Sequence, residues 1–226
     1  MAETINKQVI SILGGTGKEG KGLAYQWTKA GHKVIIGSRS LEKAQAAADE
    51  INQKLAEFTS QQVGGMENSN AAAECSIAVL TVPFSAHVAM LESLKGKLDG
   101  KLLIDVTVPL VPPKVTRVQL PPAGSAALET RSILGDGLQI ASAFQNISYE
   151  NLWNDKLTEC EVLVTGTSKE TREIVVGLVK DAGLIGWDAG PLENSVVAEG
   201  LTSVLIGINK QFSTDGSGIR ITGVHR

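Results

Sequence analysis

The sequence predicts an α/β fold with a doubly wound, mostly parallel sheet and a small C-terminal α/β extension. Three observations support this fold. Short apolar segments alternate along the chain with segments of helical periodicity. Two of the apolar segments, 75–83 and 102–109, are almost continuously apolar, as expected of strands that are buried on both faces of a sheet. The first apolar segment ends in a glycine-rich turn that leads directly into a helix.

The N-terminal half begins with a predicted strand, Val9–Leu13, which leads through the glycines into a helix that Gly31 ends. A second strand over 33–36 precedes a second helix, for which Ser40 is the expected N-cap. Parallel strands need such crossover helices between them. The order of these elements therefore agrees with a parallel sheet.

The C-terminal half alternates in the same way. Three further strands are predicted, over 137–144, 160–167 and 185–188, the last at an edge. A helix between the last two strands is expected to begin with a capping box formed by Thr167 and Glu170. The final helix, over 191–212, is apolar enough to pack between subunits as well as within one.

A proline-rich stretch separates the two halves. Five of the seven prolines lie between Pro109 and Pro122. Proline removes a helical hydrogen bond, so this stretch is predicted to form a long loop or a short hairpin. Long ordered loops often bind ligands. Lys114 and Arg117 within it are therefore candidates for holding an anionic group.

Length and composition favour one globular domain. A chain of 226 residues with no evident linker is expected to form a single domain over 1–226, of which about 145–226 is a substrate-side and dimerisation extension. The net charge of −3 provides no basic surface for nucleic acid. No signal peptide, membrane-spanning run or Cys/His cluster is evident, so we expect a cytoplasmic protein with no metal site.

The glycines after the first strand carry the strongest functional signal. Gly15, Gly17 and Gly20 form G-x-G-x-x-G between a strand and a helix, the context in which this spacing predicts a dinucleotide site. Gly15 is expected to make the tight turn, Gly17 to let the backbone approach the pyrophosphate, and Gly20 to let the helix pack closely on the sheet. The helix N-terminus would then face the phosphates.

The end of the second strand predicts NADP(H) rather than NAD(H). NAD-binding proteins usually place an acid there for the ribose 2′-hydroxyl, but this sequence has Gly37 and Ser38. Arg39 follows, and Lys43 lies one helical turn later. A guanidinium binds a 2′-phosphate that a carboxylate would repel. Ser38, Arg39 and Lys43 are therefore the predicted 2′-phosphate contacts.

Other polar residues are weaker candidates. Thr81, Val82 and Pro83 end the third predicted strand, where a ribose of the dinucleotide would lie. Asp105 is expected either to cap a buried loop or to contact the nicotinamide end. His32, His87 and Glu199 are expected to be solvent-facing, and no catalytic triad is predicted.

The segments "ISILGGTGKEGKGLA", "VIIGSRSLEKA", "AAAECSIAVLTVPF" and "WDAGPLENSVVAEGLT" together resemble the NADPH:coenzyme F420 oxidoreductase family of NADP-binding, Rossmann-type reductases. The resemblance runs from about Val9 to Ile221. It implies hydride transfer between NADPH and a stacked deazaflavin in a homodimer. It also implies dinucleotide contacts along the glycine loop and at the ends of the second and third strands, namely Gly15, Thr16, Gly17, Lys18, Glu19, Gly20, Ser38, Arg39, Lys43, Thr81, Val82 and Pro83.

The acceptor side departs from the family. The segment after the fifth predicted strand usually carries a histidine, but 142–153 has none. We expect the second ring to rest against Ala143, Phe144, Gln145 and Asn146, and Lys114 and Arg117 to hold an anionic tail of coenzyme F420. Two alternatives stay open: an NADPH-dependent reductase of another flavin, a ferric chelate or a small carbonyl compound, and a non-catalytic NADP-sensing protein.

Overall fold

The structure, a computed structural model, describes residues 7–155 and 160–224. One sheet runs through the described chain. Its strands are β1 (Val9–Leu13), β2 (Lys33–Ser38), β3 (Gly64–Glu67), β4 (Ile77–Leu80), β5 (Leu102–Asp105), β6 (Gln139–Ser142), β7 (Glu161–Gly166) and β8 (Ile185–Pro191). The strand order is β3-β2-β1-β4-β5-β6-β7-β8. Neighbouring strands are parallel except β6 and β7, which are antiparallel.

Helices cover both faces of the sheet. They are α1 (Lys18–Lys29), α2 (Leu41–Leu55), α3 (Asn68–Glu74), α4 (His87–Leu94), α5 (Ala126–Leu134), α6 (Tyr149–Trp153), α7 (Lys169–Asp181) and α8 (Ser195–Phe212). One apolar core includes side chains of α1, α2 and α7, and a second includes side chains of α3 and α4. Burial on both faces explains the continuously apolar strands. The predicted doubly wound α/β fold is confirmed.

The sequence prediction missed four elements: β3, α3, α5 and α6. β3 has the sequence "GGME", which lacks the β-branched residues that favour strands. Its glycine has a packing reason, because a Cβ on Gly65 would lie 2.6 Å from the backbone carbon of Ala44 in α2. The close packing of β3 against α2 therefore explains its glycine better than strand propensity does.

Element ends also differ from the prediction. The segment predicted as a strand over 75–83 is shorter in the structure, where only Ile77–Leu80 form β4. The N-cap of α7 is Ser168, whose side chain accepts a hydrogen bond from the backbone N–H of Thr171. The predicted cap, Thr167, instead accepts a hydrogen bond from the backbone N–H of Ile140 at 3.2 Å. The capping-box prediction was thus one residue early.

The proline-rich stretch over 109–122 forms a loop without helix or strand, in agreement with the prediction. The loop lies against α8. A Cβ on Gly200 would lie 3.4 Å from Cγ1 of Val118, and the Ser203 hydroxyl donates to the carbonyl of Arg117 at 3.5 Å. Among the described helices, none combines the length and apolar character that a bilayer crossing requires.

Candidate functional site

The glycine turn lies between β1 and α1, at the carboxyl edge of the sheet. Since the strand order runs from β1 to β2 on one side and to β4 on the other, this is the switch point where doubly wound folds bind ligands. Gly14 has φ +71°, which side chains rarely adopt. The left-handed residue is thus Gly14 and not Gly15, to which the sequence prediction assigned the tight turn.

The three motif glycines have different surroundings. A Cβ on Gly15 would lie 2.6 Å from the carbonyl oxygen of Ile12, and one on Gly20 would lie 2.6 Å from Cα of Gly15. Gly20 therefore allows α1 to pack against the turn. A Cβ on Gly17 would meet no described atom within 4 Å. The space beside Gly17 is open, as a site for a pyrophosphate requires.

The N-terminus of α1 is open as well. Its N-cap is Gly17, and no side chain caps it. Ser40, Ser125 and Ser168, in contrast, cap α2, α5 and α7 through their side chains. The first N–H groups of a helix lack partners within the helix and carry partial positive charge. The end of α1 can therefore accept an anion.

The first turn of α1 carries one basic and one acidic side chain. Lys18 donates a hydrogen bond from Nζ to the hydroxyl of Tyr149 at 2.8 Å. Glu19 has a buried Oε1 with no hydrogen-bond partner among the described residues. Burial raises the pKa of Glu19 to about 8. A mostly neutral Glu19 would not repel an anion at neutral pH.

The end of β2 presents two cations to solvent. Ser38 is buried, and its hydroxyl accepts from the backbone N–H of Ser40 at 3.3 Å. The exposed Arg39 and Lys43 make no side-chain hydrogen bond or ion pair with the described residues. Glu67 of β3 lies opposite Ser38 in the register. This edge thus holds two unpaired cations and one carboxylate, a set that suits a 2′-phosphate.

Asn68 is a site residue that the sequence prediction missed. Its Oδ1 accepts a hydrogen bond from the backbone N–H of Gly14 at 3.0 Å and so fixes the glycine turn from α3. A Cβ on Gly37 would lie 2.7 Å from the same oxygen. Gly37 therefore makes room for Asn68. An unpredicted helix supplies Asn68, so no local pattern could have indicated it.

The end of β4 packs against the glycine turn. The backbone N–H and the hydroxyl of Thr81 both donate to the carbonyl of Leu13, at 3.1 and 3.3 Å. The Val82 side chain fills the space that a Cβ on Gly14 would need. Pro83 is exposed. The segment 81–83 therefore borders the open space beside Gly17 from the β4 side.

The loop after β6 is buried and held from several sides. The Phe144 ring lies 5.7 Å from the Trp27 ring in a T-shaped contact, with φ +73° at Phe144. Gln145 donates from Nε2 to the carbonyl of Asp105 at 2.8 Å. Asn146 donates from Nδ2 to the carbonyl of Glu161 at 2.7 Å. Ala143 is also fully buried, so a ligand contact at this loop would rest mainly on its backbone.

The two candidate tail contacts lie on the proline-rich loop. The backbone carbonyls of Lys114 and Arg117 accept hydrogen bonds from Gln119 and Ser203 at 3.4 and 3.5 Å. Both side chains are exposed, and neither pairs with a described residue. The loop backbone is thus anchored while its cations face solvent.

The sequence analysis expected three ionisable residues to face solvent and gave Asp105 a buried capping role as one of two alternatives. His32, His87, Asp105 and Glu199 are all buried. His32 lies 2.7 Å from Asp181 through Nε2. His87 lies 2.9 Å from Asp105 through Nε2, and Glu199 accepts backbone hydrogen bonds at the start of α5. The solvent-facing predictions for His32, His87 and Glu199 were wrong, because distant elements cover these side chains.

Comparison with known proteins identifies relatives over most of the chain. A family model described as "NADP oxidoreductase coenzyme F420-dependent" matches residues 9–109. The F420-dependent NADP reductase of Methanocaldococcus jannaschii is 37% identical over 221 residues, which are 95% of this chain and 98% of the relative. The F420-dependent NADP reductase of Methanothermobacter marburgensis is 38% identical, with the same coverage.

Solved structures share the fold at lower identity. A protein from Arthrobacter sp. fb24 has a TM-score of 0.80 and 23% identity, covering 95% of this chain and 99% of that one. A pyrroline-5-carboxylate reductase from Coxiella burnetii has a TM-score of 0.61 and 17% identity, covering 92% and 69%. These likenesses support the fold, and the relatives support the family. The chain belongs to the family of F420-dependent NADP reductases.

Proposed function

We propose that the chain is an NADP-dependent oxidoreductase that transfers a hydride between NADPH and coenzyme F420. The full-length match carries this proposal: relatives named F420-dependent NADP reductase are 35–38% identical over 95% of the chain. The open N-terminus of α1 at the switch point agrees with it, since a dinucleotide pyrophosphate is an anion of suitable size and charge.

The dinucleotide would lie along the carboxyl edge of the sheet. The backbone of residues 15–20 would hold the pyrophosphate at the start of α1. The neutral form of Glu19 would leave this site without an opposing charge. Thr81, Val82 and Pro83 would border the ribose next to the nicotinamide. The open space at Gly17 and the packing of 81–83 on the glycine turn support these proposed contacts.

The 2′-phosphate would lie at the end of β2. Ser38 would donate its hydroxyl, Arg39 would bind through its guanidinium fork, and Lys43 would add a second cation. Both cations are unpaired within the described chain, so binding would not require them to leave a protein partner. The carboxylate of Glu67 would repel the phosphate, but the two positive charges of Arg39 and Lys43 would outweigh this single negative charge.

The acceptor would lie against the loop after β6. Ala143, Phe144, Gln145 and Asn146 would form its backing, and the interior contacts of this loop would keep that backing rigid. Lys114 and Arg117 would hold the phosphate and glutamate tail of coenzyme F420 from the anchored loop. Their long side chains are free to follow a flexible anionic tail.

The protein's part in the reaction is positioning. NADPH supplies the hydride when it is bound, and the deazaflavin takes up that hydride together with one proton. The chain holds both rings at its carboxyl edge and excludes water from between them. Direct transfer between stacked rings requires no nucleophile, which agrees with a site built from backbone, small residues and cations.

One experiment tests the reaction. NADPH oxidation is followed with the purified protein and coenzyme F420, FMN, FAD or a ferric chelate as acceptor. We expect rapid turnover with coenzyme F420 and a rate at least tenfold lower with the others. Turnover with another acceptor alone would support the alternative reductase. Tight NADPH binding without oxidation by any acceptor would support an NADP-sensing protein.

A second experiment tests cofactor choice. Replacing Arg39 with Ala should weaken NADPH binding about tenfold or more, because a charge-assisted hydrogen bond is worth about 1.5–3 kcal/mol. NADH binding should change little. The matched control is Lys97→Ala, which removes an exposed cation elsewhere on the surface. Equal losses for NADPH and NADH, or no loss at all, would contradict the 2′-phosphate assignment.

We also propose that residues 145–226 form a substrate-side and dimerisation extension. An apolar stripe runs along α8 and comprises Val197, Leu201, Val204, Ile208 and Phe212. Val197 and Phe212 are 69% and 68% exposed. Apolar side chains at this spacing suit packing against a second copy of the helix. We further propose a cytoplasmic location, because the buried Cys75 forms no disulfide with the described residues, as is usual in reducing compartments.

The homodimer is tested by sedimentation. Wild-type protein should sediment as a dimer at micromolar concentration, and Val204→Glu should shift it to monomer. Lys210→Glu changes an exposed polar position on the same helix and should leave the dimer intact. A wild-type monomer at these concentrations would refute the proposed interface.

A further inference from the structure

Three loops meet at the carboxyl edge of the sheet beyond the glycine turn. They follow β4, β5 and β6, and the proposed function requires them to hold the two reacting rings. A buried polar cluster lies directly behind them. It comprises His87 at the start of α4, Asp105 at the end of β5 and Thr130 on α5, with the half-buried Glu129 of α5 at its rim.

The imidazole of His87 faces a carboxylate on each side. Nε2 lies 2.9 Å from Oδ2 of Asp105, and Nδ1 lies 2.8 Å from Oε2 of Glu129. An imidazole that donates to two carboxylates carries both protons and is therefore a cation. Burial alone would lower the pKa of His87, but the two carboxylates outweigh it and raise that pKa. The charged imidazolium is thus the stable form.

Asp105 connects this ion pair to two of the loops. Its Oδ1 accepts a hydrogen bond from the backbone N–H of Thr107 at 3.0 Å, in the loop after β5. Its carbonyl accepts from Nε2 of Gln145 at 2.8 Å, in the loop after β6. The Thr130 hydroxyl donates to Oδ2 at 2.6 Å. Asp105 therefore fixes both loops, and its orientation depends on His87.

His87 connects the pair to the third loop. It follows a 3₁₀ turn, Phe84–Ala86, that begins directly after Pro83. The Phe84 ring stacks on the imidazole with centroids 5.9 Å apart. The segment 81–83 is thus tied to the same ion pair as the loops after β5 and β6.

We infer that the charged His87–Asp105 pair is a positioning device that sets the loops after β4, β5 and β6 at the spacing that hydride transfer requires. The inference rests on the proposed function. Hydride transfer is sensitive to the distance between the rings, and a misplacement of about 1 Å can cost about 100-fold in rate. His87 and Asp105 act through the loops and not by touching the rings.

The described chain offers a matched control. His32 is also buried and also pairs with an aspartate, Asp181, at 2.7 Å. Its Nδ1 accepts a hydrogen bond from the backbone N–H of Gln8, so it has a role in packing without a second carboxylate. His32 lies at the start of β2, at the opposite edge of the sheet. Loss of His32 tests the effect of removing a buried pair far from the loops.

The first test compares His87→Gln with His32→Gln. We expect both to lower the melting temperature. Only His87→Gln should lower kcat for coenzyme F420, by about 10- to 100-fold, while the Kd for NADPH changes less than twofold. If both variants lower kcat equally, or if NADPH binding falls as far as kcat, the pair has only a structural role and the inference is wrong.

A gentler variant tests the charge. The groups that face His87 are Asp105 from β5 and Glu129 from α5, with Glu199 of α8 also within electrostatic reach. Glu129→Gln removes one carboxylate that is 19% exposed, which should lower the pKa of His87. The fall of kcat with rising pH should then begin at lower pH than in the wild type. An unchanged pH profile would contradict a role for the imidazolium.

A measurement without turnover separates this inference from the proposed function. The His87 imidazole is titrated by NMR in the wild-type protein, and hydrogen exchange of the Thr107 amide is followed over the same pH range. We expect the protection factor of this amide, which corrects for the intrinsic rise of exchange with pH, to fall as His87 loses its charge, whichever acceptor the enzyme uses. If the protection factor of the Thr107 amide does not change as His87 titrates, the inference is wrong. A failure to reduce coenzyme F420 would overturn only the proposed function.

Discussion

The N-termini of α1 and α5 have the same local polarity but opposite surroundings. At α5, the Ser125 hydroxyl accepts from the backbone N–H of Leu128 at 3.0 Å, and the Glu199 carboxylate accepts from those of Ala126 and Ala127 at 2.6 and 3.1 Å. At α1, the cap is Gly17 and no side chain takes this place. The protein itself satisfies one helix end, whereas at the other, where we propose that the pyrophosphate binds, no side chain does so.

Each end also has a buried carboxyl group nearby. Burial raises the pKa of both Glu19 and Glu199 to about 8, with the carboxylate of Asp105 adding to the shift at Glu199. Glu199 binds two backbone N–H groups, whereas Oε1 of Glu19 has no partner in the described chain. Burial is therefore not enough to assign a role to a buried acid. The hydrogen bonds of Glu199 indicate that it stabilises the fold, whereas the unpartnered oxygen of Glu19 is compatible with a ligand nearby.

The largest effect is expected from blocking the open end. Gly17→Ala places a methyl group where no described atom lies within 4 Å, so the fold should be kept. The methyl group would stand between the backbone N–H groups and a phosphate. NADPH affinity should fall about 100-fold, equivalent to about 3 kcal/mol. Fluorescence titration with NADPH measures this.

Gly177→Ala is the control for the loss of a glycine. It lies within α7 with open space around it and should stabilise the protein by up to about 1 kcal/mol without changing NADPH binding. If Gly17→Ala binds NADPH as the wild type does, the pyrophosphate does not lie at this helix end.

The satisfied end should respond in the opposite way. Glu199→Ala leaves two buried N–H groups without their acceptor and should lower the free energy of unfolding by about 2–3 kcal/mol. Urea denaturation at pH 7 measures the loss. The Kd for NADPH should stay within about twofold of the wild-type value if the two ends are independent. A Glu199→Ala variant of wild-type stability would refute the capping role.

Glu19 tests the open end through pH. An acid whose folded-state pKa is raised from 4.5 to about 8 costs stability as pH rises through this range, because only the unfolded state ionises freely. Glu19→Gln removes this cost and should stabilise the protein by about 2 kcal/mol at pH 6, which is about 1.5 pH units above the unfolded pKa. At pH 4 the two proteins should be equally stable. Denaturation curves of both proteins across this pH range measure the difference, and a constant difference would show that Glu19 does not titrate in this way.

The smallest effect is expected from the serine caps. Ser125→Ala should cost about 1 kcal/mol. Since the Ser125 hydroxyl also lies 2.7 Å from that of Ser195, this loss should exceed that of Ser40→Ala, whose hydroxyl only caps α2. Thermal unfolding of the two variants compares them. Equal losses would mean that the contact with Ser195 adds nothing to the cap.

The two ends also differ in how far the sequence predicts them. The α1 end depends on glycines that lie within six residues of one another, so their spacing in the sequence reflects local backbone geometry. The prediction was wrong by one residue, because it assigned the tight turn to Gly15 and the left-handed glycine is Gly14. The α5 end depends on Glu199, which is 73 residues from Ala126. His87 and Asn68 also depend on partners in other elements, between 18 and 54 residues away. The prediction that His87 and Glu199 face solvent was wrong because the tertiary fold determines which elements cover them, and local sequence does not show this.

The central claim is that the open end of α1 holds NADPH while its hydride passes directly to coenzyme F420. The most direct test uses NADPH with two deuterium atoms at C4 of the nicotinamide, with mass spectrometry of the reduced coenzyme F420 after one turnover. The account predicts one deuterium in the reduced coenzyme for each NADPH oxidised. Reduced coenzyme without deuterium, or no reduction at all, would contradict it.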